Sequence, residues 1–215
     1  MSDRYPGYDV LAKRDSPSWN AQTRTVVDAR LAVQPDAHTF FSQAEWPSVC
    51  AICDRIIPQP PQASRRVPIA ALLDAHLCNI ASDGYRDARM PPMREAWRLG
   101  LRALDAESQR AHGHRFHELE VTQQSALLRV VQQGHTTDPA WQSLPPDLFF
   151  SKRVLHDITQ LYYAHPYAWN QIGFGGPAAP RGYVRMDFDR RDPWEASEAR
   201  PGREEEARRE NARIG

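Results

Sequence analysis

Apolar residues return at helical spacing in five segments of this chain, and proline stands at the edge of four of them. This pairing is the strongest constraint on the fold. A period near 3.6 lays one apolar stripe along a helix, and proline, which lacks an N–H, marks where a helix begins or stops. The clearest segment places Trp46, Val49, Cys50, Cys53, Ile56 and Ile57 on one face. Ser42 with Glu45 reads as its capping box, Phe41 with Trp46 as its hydrophobic staple, and Pro58 as its stop. Pro68 opens a second segment with Ile69, Leu72, Leu73, His76, Leu77 and Ile80 on one side. Pro91 and Pro92 precede a third, lined by Met93, Trp97, Leu101 and Leu104. A fourth carries Leu127, Leu128, Val130 and Val131 and halts at Gly134, the residue type that closes helices in the left-handed conformation. Pro145 and Pro146 introduce a fifth, through Leu148, Leu155, Ile158 and Tyr162. The spacing predicts helices near 44–57, 68–81, 93–110, 121–133 and 148–163, with neither a convincing strand nor an internal repeat. The expected fold class is all-α, an irregular bundle of about five helices.

The flanks read differently. Residues 1–39 form an N-terminal arm of Pro, Gly, Asp and Ser with scattered Tyr5, Tyr8 and Trp19, and only Thr25 to Val33 has the makings of an element. The presence of Trp19 implies that part of the arm packs on something. Residues 40–186 make the helical domain. Within it, His165 to Tyr183 loses helical periodicity and reads as a loop with four glycines and four large aromatics. Residues 187–215 are dense in Arg, Glu and Asp, the composition of a disordered tail or a frayed helix.

Charge balance excludes some partners. The 27 basic and 27 acidic residues leave no net field to attract nucleic acid or an acidic membrane. No run reaches the ~20 apolar residues of a membrane helix. The stretch from Met1 to Val10 has no apolar export core, which gives a cytoplasmic expectation. Cys50, Cys53 and Cys78 are an odd count, against a disulfide framework.

Few motifs carry chemistry. Cys50 and Cys53 form a C-x-x-C, but both fall on an apolar helix face without a second pair, so they read as buried, reduced core residues. His112, His114 and His117 could ligate a transition metal. They stand among Arg110 and Arg115 without a nearby thiolate, so a solvated stretch is the reading and no metal site is assigned. Gly173, Gly175 and Gly176 lack the preceding strand and following helix of a phosphate loop. No catalytic and no cofactor-binding residue stands out.

The order of short pieces nonetheless resembles a known family. These are Phe40-Phe41, Glu45-Trp46, Cys53-Asp54-Arg55-Ile56-Ile57-Pro58, Gly100-Leu101, Leu104-Asp105, Phe116, Leu119, Gln123-Gln124, Leu127-Leu128, Phe149-Phe150, Tyr162-Tyr163, Pro166-Tyr167, Asn170 and Ile172-Gly173-Phe174-Gly175-Gly176. From about Phe40 to Tyr183 the chain resembles the gluconate 2-dehydrogenase subunit 3 family. The resemblance implies a non-catalytic small subunit, without a cofactor of its own. Its partner would be a large flavoprotein of the glucose–methanol–choline (GMC) type that holds FAD and oxidises a sugar, sugar acid or alcohol, with a cytochrome c subunit in some complexes. Members of that family commonly begin with a twin-arginine signal, which Met1 to Val10 does not show. Co-export with a signal-bearing partner is the periplasmic alternative. The family's Pro-Tyr-Gly-Gly-Asn turn reads Pro166-Tyr167-Ala168-Trp169-Asn170 here, which points to a different loop shape or partner.

Two other functions compete with the accessory subunit: a transient chaperone-like or scaffold module, and a stand-alone metal-dependent enzyme built on the His112 cluster. For the accessory subunit, the expected partner surface is Tyr167, Trp169, Ile172, Phe174 and Tyr183, because large aromatics outside regular structure supply contact area at low entropy cost.

Overall fold

In a computed structural model the regular elements are all helical. No strand occurs among the described residues, which are 4–61, 63, 65–80, 84, 87–177 and 197–213. In chain order the helices are α1 (Ala21–Leu31), α2 (Trp46–Ile56), α3 (Ile69–Asn79), α4 (Met93–His112), α5 (Val121–Gln132), α6 (Pro146–Phe149), α7 (His156–Tyr163), α8 (Pro166–Ile172) and α9 (Glu204–Ala212). Helices α2 to α5 fall within about two residues of the spans that spacing predicts. Local chemistry explains their ends. Pro47 sits in the first turn of α2, where no N–H is needed. After α5, Gly134 takes φ 70°, and the N–H groups of Gly134 and His135 return to the carbonyls of Val131 and Val130, a Schellman closure.

The fifth expected helix is interrupted. Between α6 and α7, Phe150–Leu155 forms a π turn. A π turn adds a residue to the helical count, so the side chains beyond it shift register. Leu155, expected on the apolar face, is 42% exposed, and Val154 takes its place inside at 1%. The inserted residue also lets the consecutive Phe149 and Phe150 both be buried.

Three helices lie outside the five that spacing predicts, α1 overlapping the Thr25 to Val33 stretch that had the makings of an element and α9 in the tail read as disordered or a frayed helix. Helix α1 buries Val27 and is capped by Asn20, whose Oδ1 accepts the Thr23 N–H at 2.8 Å. Helix α8 lies inside the segment expected to be a loop. Pro166 fits its first position, and the His165 ring accepts the Tyr167 N–H as a cap. Helix α9 lies inside the charged tail and opens with Glu204, Glu205 and Glu206, which suit the positive end of the helix dipole.

The chain divides into two compact units, Gln34–Leu161 and a second made of Met1–Val33 with Tyr162–Gly215. In the first, α4 carries the centre of an aromatic core. Trp97 meets Phe41 and Phe149 edge-on at 6.1 and 5.6 Å, and Trp141 lies 6.0 Å from Phe149. Gly100 makes this possible, since a Cβ there would lie 2.2 Å from Cζ of Phe149. Gly100→Ala is therefore expected to destabilise this unit by about 1–3 kcal/mol through overpacking, although alanine is the better helix former. Urea denaturation checks this, and a stabilised variant would contradict the packing argument. Buried carboxylates pin the loops of the same unit. Asp74 accepts the N–H groups of Thr39 and Phe41 at 2.7 and 2.8 Å, and Glu107 accepts those of Thr137 and Asp138 at 2.8–3.0 Å.

The second unit is closed by both ends of the chain. Tyr5, Tyr8, Val10, Trp19, Val27, Trp169, Ala199 and Ala207 form its core. The Tyr8 hydroxyl donates to the Ser197 carbonyl at 3.3 Å, and the Val10 N–H donates to Asn170 Oδ1 at 2.8 Å. The N-terminal arm and part of the charged tail are thus packed structure.

Candidate functional site

Three chemistry-bearing clusters exist among the described residues. The first brings a serine, a histidine and an aspartate together. Ser48 Oγ lies 3.2 Å from His117 Nδ1 and 3.3 Å from Asp105 Oδ1, and Asp105 also accepts the Phe116 N–H at 3.1 Å. In a nucleophilic triad the histidine stands between serine and aspartate, so that it can take the hydroxyl proton while the carboxylate orients the ring. Here the serine stands in the middle and is 1% exposed. The arrangement fastens the 116–118 turn to α2 and α4 and offers no attacking oxygen to solvent.

The second cluster follows the π turn. Asp157 is 2% exposed, accepts the Trp97 indole N–H at 2.9 Å, and has Arg153 at 3.7 Å and His156 at 3.2 Å. Desolvation by burial raises its pKa, against the lowering by Arg153 and by the Trp97 hydrogen bond. Sequence spacing does not find this residue, because the π turn sets the register that turns it inward.

The third is the C-x-x-C. Cys53 is 4% exposed, as expected, but Cys50 is only half-buried, so the expectation of burial holds for one thiol of the pair. Both thiols are free, and burial raises both pKa values, that of Cys50 to about 11, so both stay protonated at neutral pH. A shallow groove of about 280 Å³ beside them is walled by Pro35, Val67 and Pro68.

The three histidines of the H-x-H-x-x-H do not converge. His112 is exposed at the end of α4, His114 approaches Glu118 at 4.0 Å, and His117 turns to Ser48. Among the described residues no group of three His, Cys, Asp or Glu side chains is placed to hold a metal ion.

The residues expected at a partner surface separate. Trp169 is 4% exposed and its indole N–H donates to the Tyr163 carbonyl at 2.6 Å, which makes it a core residue of its own unit. Phe174 is partly buried against it at 5.9 Å. Tyr167 is half-buried, with its ring 4.7 Å from that of His165. Ile172 remains 47% exposed. Tyr183 lies outside the described residues. The glycines do let backbone approach a surface closely, but the surface is the chain's own arm. A Cβ on Gly173 would meet the Tyr5 ring at 2.8 Å, and one on Gly176 would meet Val10 at 2.9 Å.

Spacing also leaves two buried bases of the end-closed unit unnoticed. Lys13 is fully buried, with Nζ 3.2 Å from the Pro177 carbonyl and 5.6 Å from the Trp19 ring centre, and desolvation lowers its pKa to about 7. His165 is 1% exposed, and burial lowers its pKa to about 4. The available signal for Lys13 was its rarity, one of two lysines in an arginine-rich chain.

Nearly every polar group in these clusters is engaged by its own fold, as in a helical protein whose inner chemistry serves packing. Comparison with known proteins gives the family. Residues 43–176, more than half of the chain, match Gluconate 2-dehydrogenase subunit 3, and the chain belongs to that family. Searches of curated proteins and of solved structures give no match.

Proposed function

We propose that this chain is a non-catalytic small subunit that binds and stabilises an FAD-containing GMC-type oxidoreductase acting on a sugar, sugar acid or alcohol. The observation that carries the reading is membership, across 43–176, of a family named as a subunit of a dehydrogenase. The geometry supports it. The serine of the Ser/His/Asp cluster is sealed, the cysteine thiols are protonated, and Trp169 of α8 packs in the chain's own core. The flavin, and a cytochrome c where one takes part, would belong to the partner subunits. The complex would remain in the cytoplasm, or leave it if the partner carries an export signal.

Co-expression with a GMC-type flavoprotein large subunit, followed by purification through a tag on this chain, tests the reading. The expected result is a stable complex with flavin absorbance and dehydrogenase activity, while this chain alone is colourless and inactive. Turnover by the chain alone, or a flavoprotein equally stable and active without it, would overturn the proposal.

A further inference from the structure

One surface of the end-closed unit combines apolar exposure with a cation that pairs with no carboxylate among the described residues. On α1, Val27 is buried at 1% while its neighbour Val26 is 40% exposed. Val26, Val27 and Pro177 give the apolar lining of an open groove of about 270 Å³, and Asn20, Thr23 and Arg30 give its polar lining. Arg30 is partly withdrawn from water. Its guanidinium donates to the Ala164 carbonyl at 2.7 Å and pairs with no carboxylate among the described residues. A single carbonyl leaves most of its five donors unanswered, and a partly desolvated charge without a partner is unfavourable. Among the described residues, Arg24 of the same helix likewise donates only to the Trp19 and Arg14 carbonyls, whereas three arginines of the unit have carboxylate partners. Arg14 pairs with Asp28, Arg203 with Glu206 and Arg208 with Glu205.

A second cation stands behind the same wall. Lys13 holds the carbonyl of Pro177 and pairs with no carboxylate among the described residues. The groove is thus mostly apolar in its lining, with the Arg30 guanidinium as its charged member. That combination complements an apolar segment bearing one carboxylate. The carboxylate would relieve the desolvated guanidinium, and the apolar part would cover Val26.

We propose that this groove on α1 receives an apolar, carboxylate-bearing segment of the large partner subunit. The proposal rests on the accessory-subunit reading and names the surface through which the subunit acts.

The test uses the full chain co-expressed with the large flavoprotein subunit, as wild type and as Val26→Asp, Arg30→Gln and Val121→Asp. Val121 is 57% exposed in the other unit and serves as the control. Val26→Asp and Arg30→Gln are each expected to lower the flavin recovered with the tagged chain at least tenfold, with melting temperature unchanged. Val121→Asp is expected to match wild type. Full recovery with both groove variants overturns the proposal while leaving the accessory role intact. If Arg30→Gln unfolds, Val26→Asp decides alone, because its side chain already faces water. Sodium benzoate titrated into the isolated chain separates a free anion from a protein segment. Saturable binding abolished by Arg30→Gln, with the complex unaffected, makes the groove a small-anion site and overturns the proposal. Recovery of no flavoprotein by wild type or the Val121 control is the separate failure of the accessory-subunit reading, and the groove proposal falls with it.

Discussion

Trp19→Ala is expected to destabilise the end-closed unit by about 3–5 kcal/mol, the range for removing a large aromatic from a packed core. Trp19 is 1% exposed and shares a cluster with Tyr5, Tyr8, Val10, Val27 and Trp169, residues drawn from both ends of the chain. Its loss would remove the contact on which the arm, α1 and α8 converge. Trp19→Phe should be far milder. The indole Nε1 has no hydrogen-bond acceptor among the described residues, so phenylalanine removes an unsatisfied buried donor along with some packing area. Hydrogen exchange provides the measurement. In Trp19→Ala, the amides of 166–172 and 204–212 should lose protection while those of 93–104 keep theirs. Uniform loss across both sets, or none, would contradict the division into units.

The end-closed unit should also lose stability as pH falls, in two windows. The pKa of His165 is about 4 in the fold, below its ordinary 6.5, because burial disfavours the imidazolium and Arg30 adds repulsion. Between those values the unfolded chain binds the proton and the folded chain does not. Stability is therefore complete above about 6.5 and declines as pH drops toward 4, by roughly 3 kcal/mol. The structure gives the mechanism. His165 caps α8 by accepting the Tyr167 N–H on Nδ1, and protonation of that nitrogen abolishes the acceptor. His165→Asn keeps an acceptor that does not titrate and should flatten this limb.

Lys13 acts in the same direction at higher pH. Its pKa is lowered from 10.5 to about 7, so the unfolded state binds more protons between these values and stability increases with pH across them. Above about pH 10, Tyr8 opposes this, since burial raises its pKa to about 12 and the folded state then holds the extra proton. Lys13→Met should raise the melting temperature near neutrality and remove the rise between 7 and 10. Thermal melts at a series of pH values read both limbs. A flat profile from pH 4 to 6.5 in wild type would refute the role given to His165.

Sequence determined the elements whose burial follows one period. Trp97, Leu101 and Leu104 lie on one face of α4 because a helix alone, without any partner, puts residues at that spacing together. The proline and glycine boundaries of α2 to α5 are equally local, since they depend on a missing N–H or a positive φ. The pieces that mark the family lie largely in these same elements, which is why the family was legible in the residues.

Tertiary structure decided what no period encodes. The π turn at 150–155 exchanges Leu155 for Val154 in the core and turns Asp157 toward Trp97. Trp169 looked free because its segment lacks periodicity, yet it is buried by Tyr5, Tyr8 and Trp19 from more than a hundred residues away. The groove at Arg30 exists because α1 and Pro177, distant in sequence, come together, and among the described residues no carboxylate pairs with its guanidinium. Helical spacing reports only neighbours three and four residues apart, and long-range packing chooses which aromatic is core, which cation is left unpaired and which surface remains open.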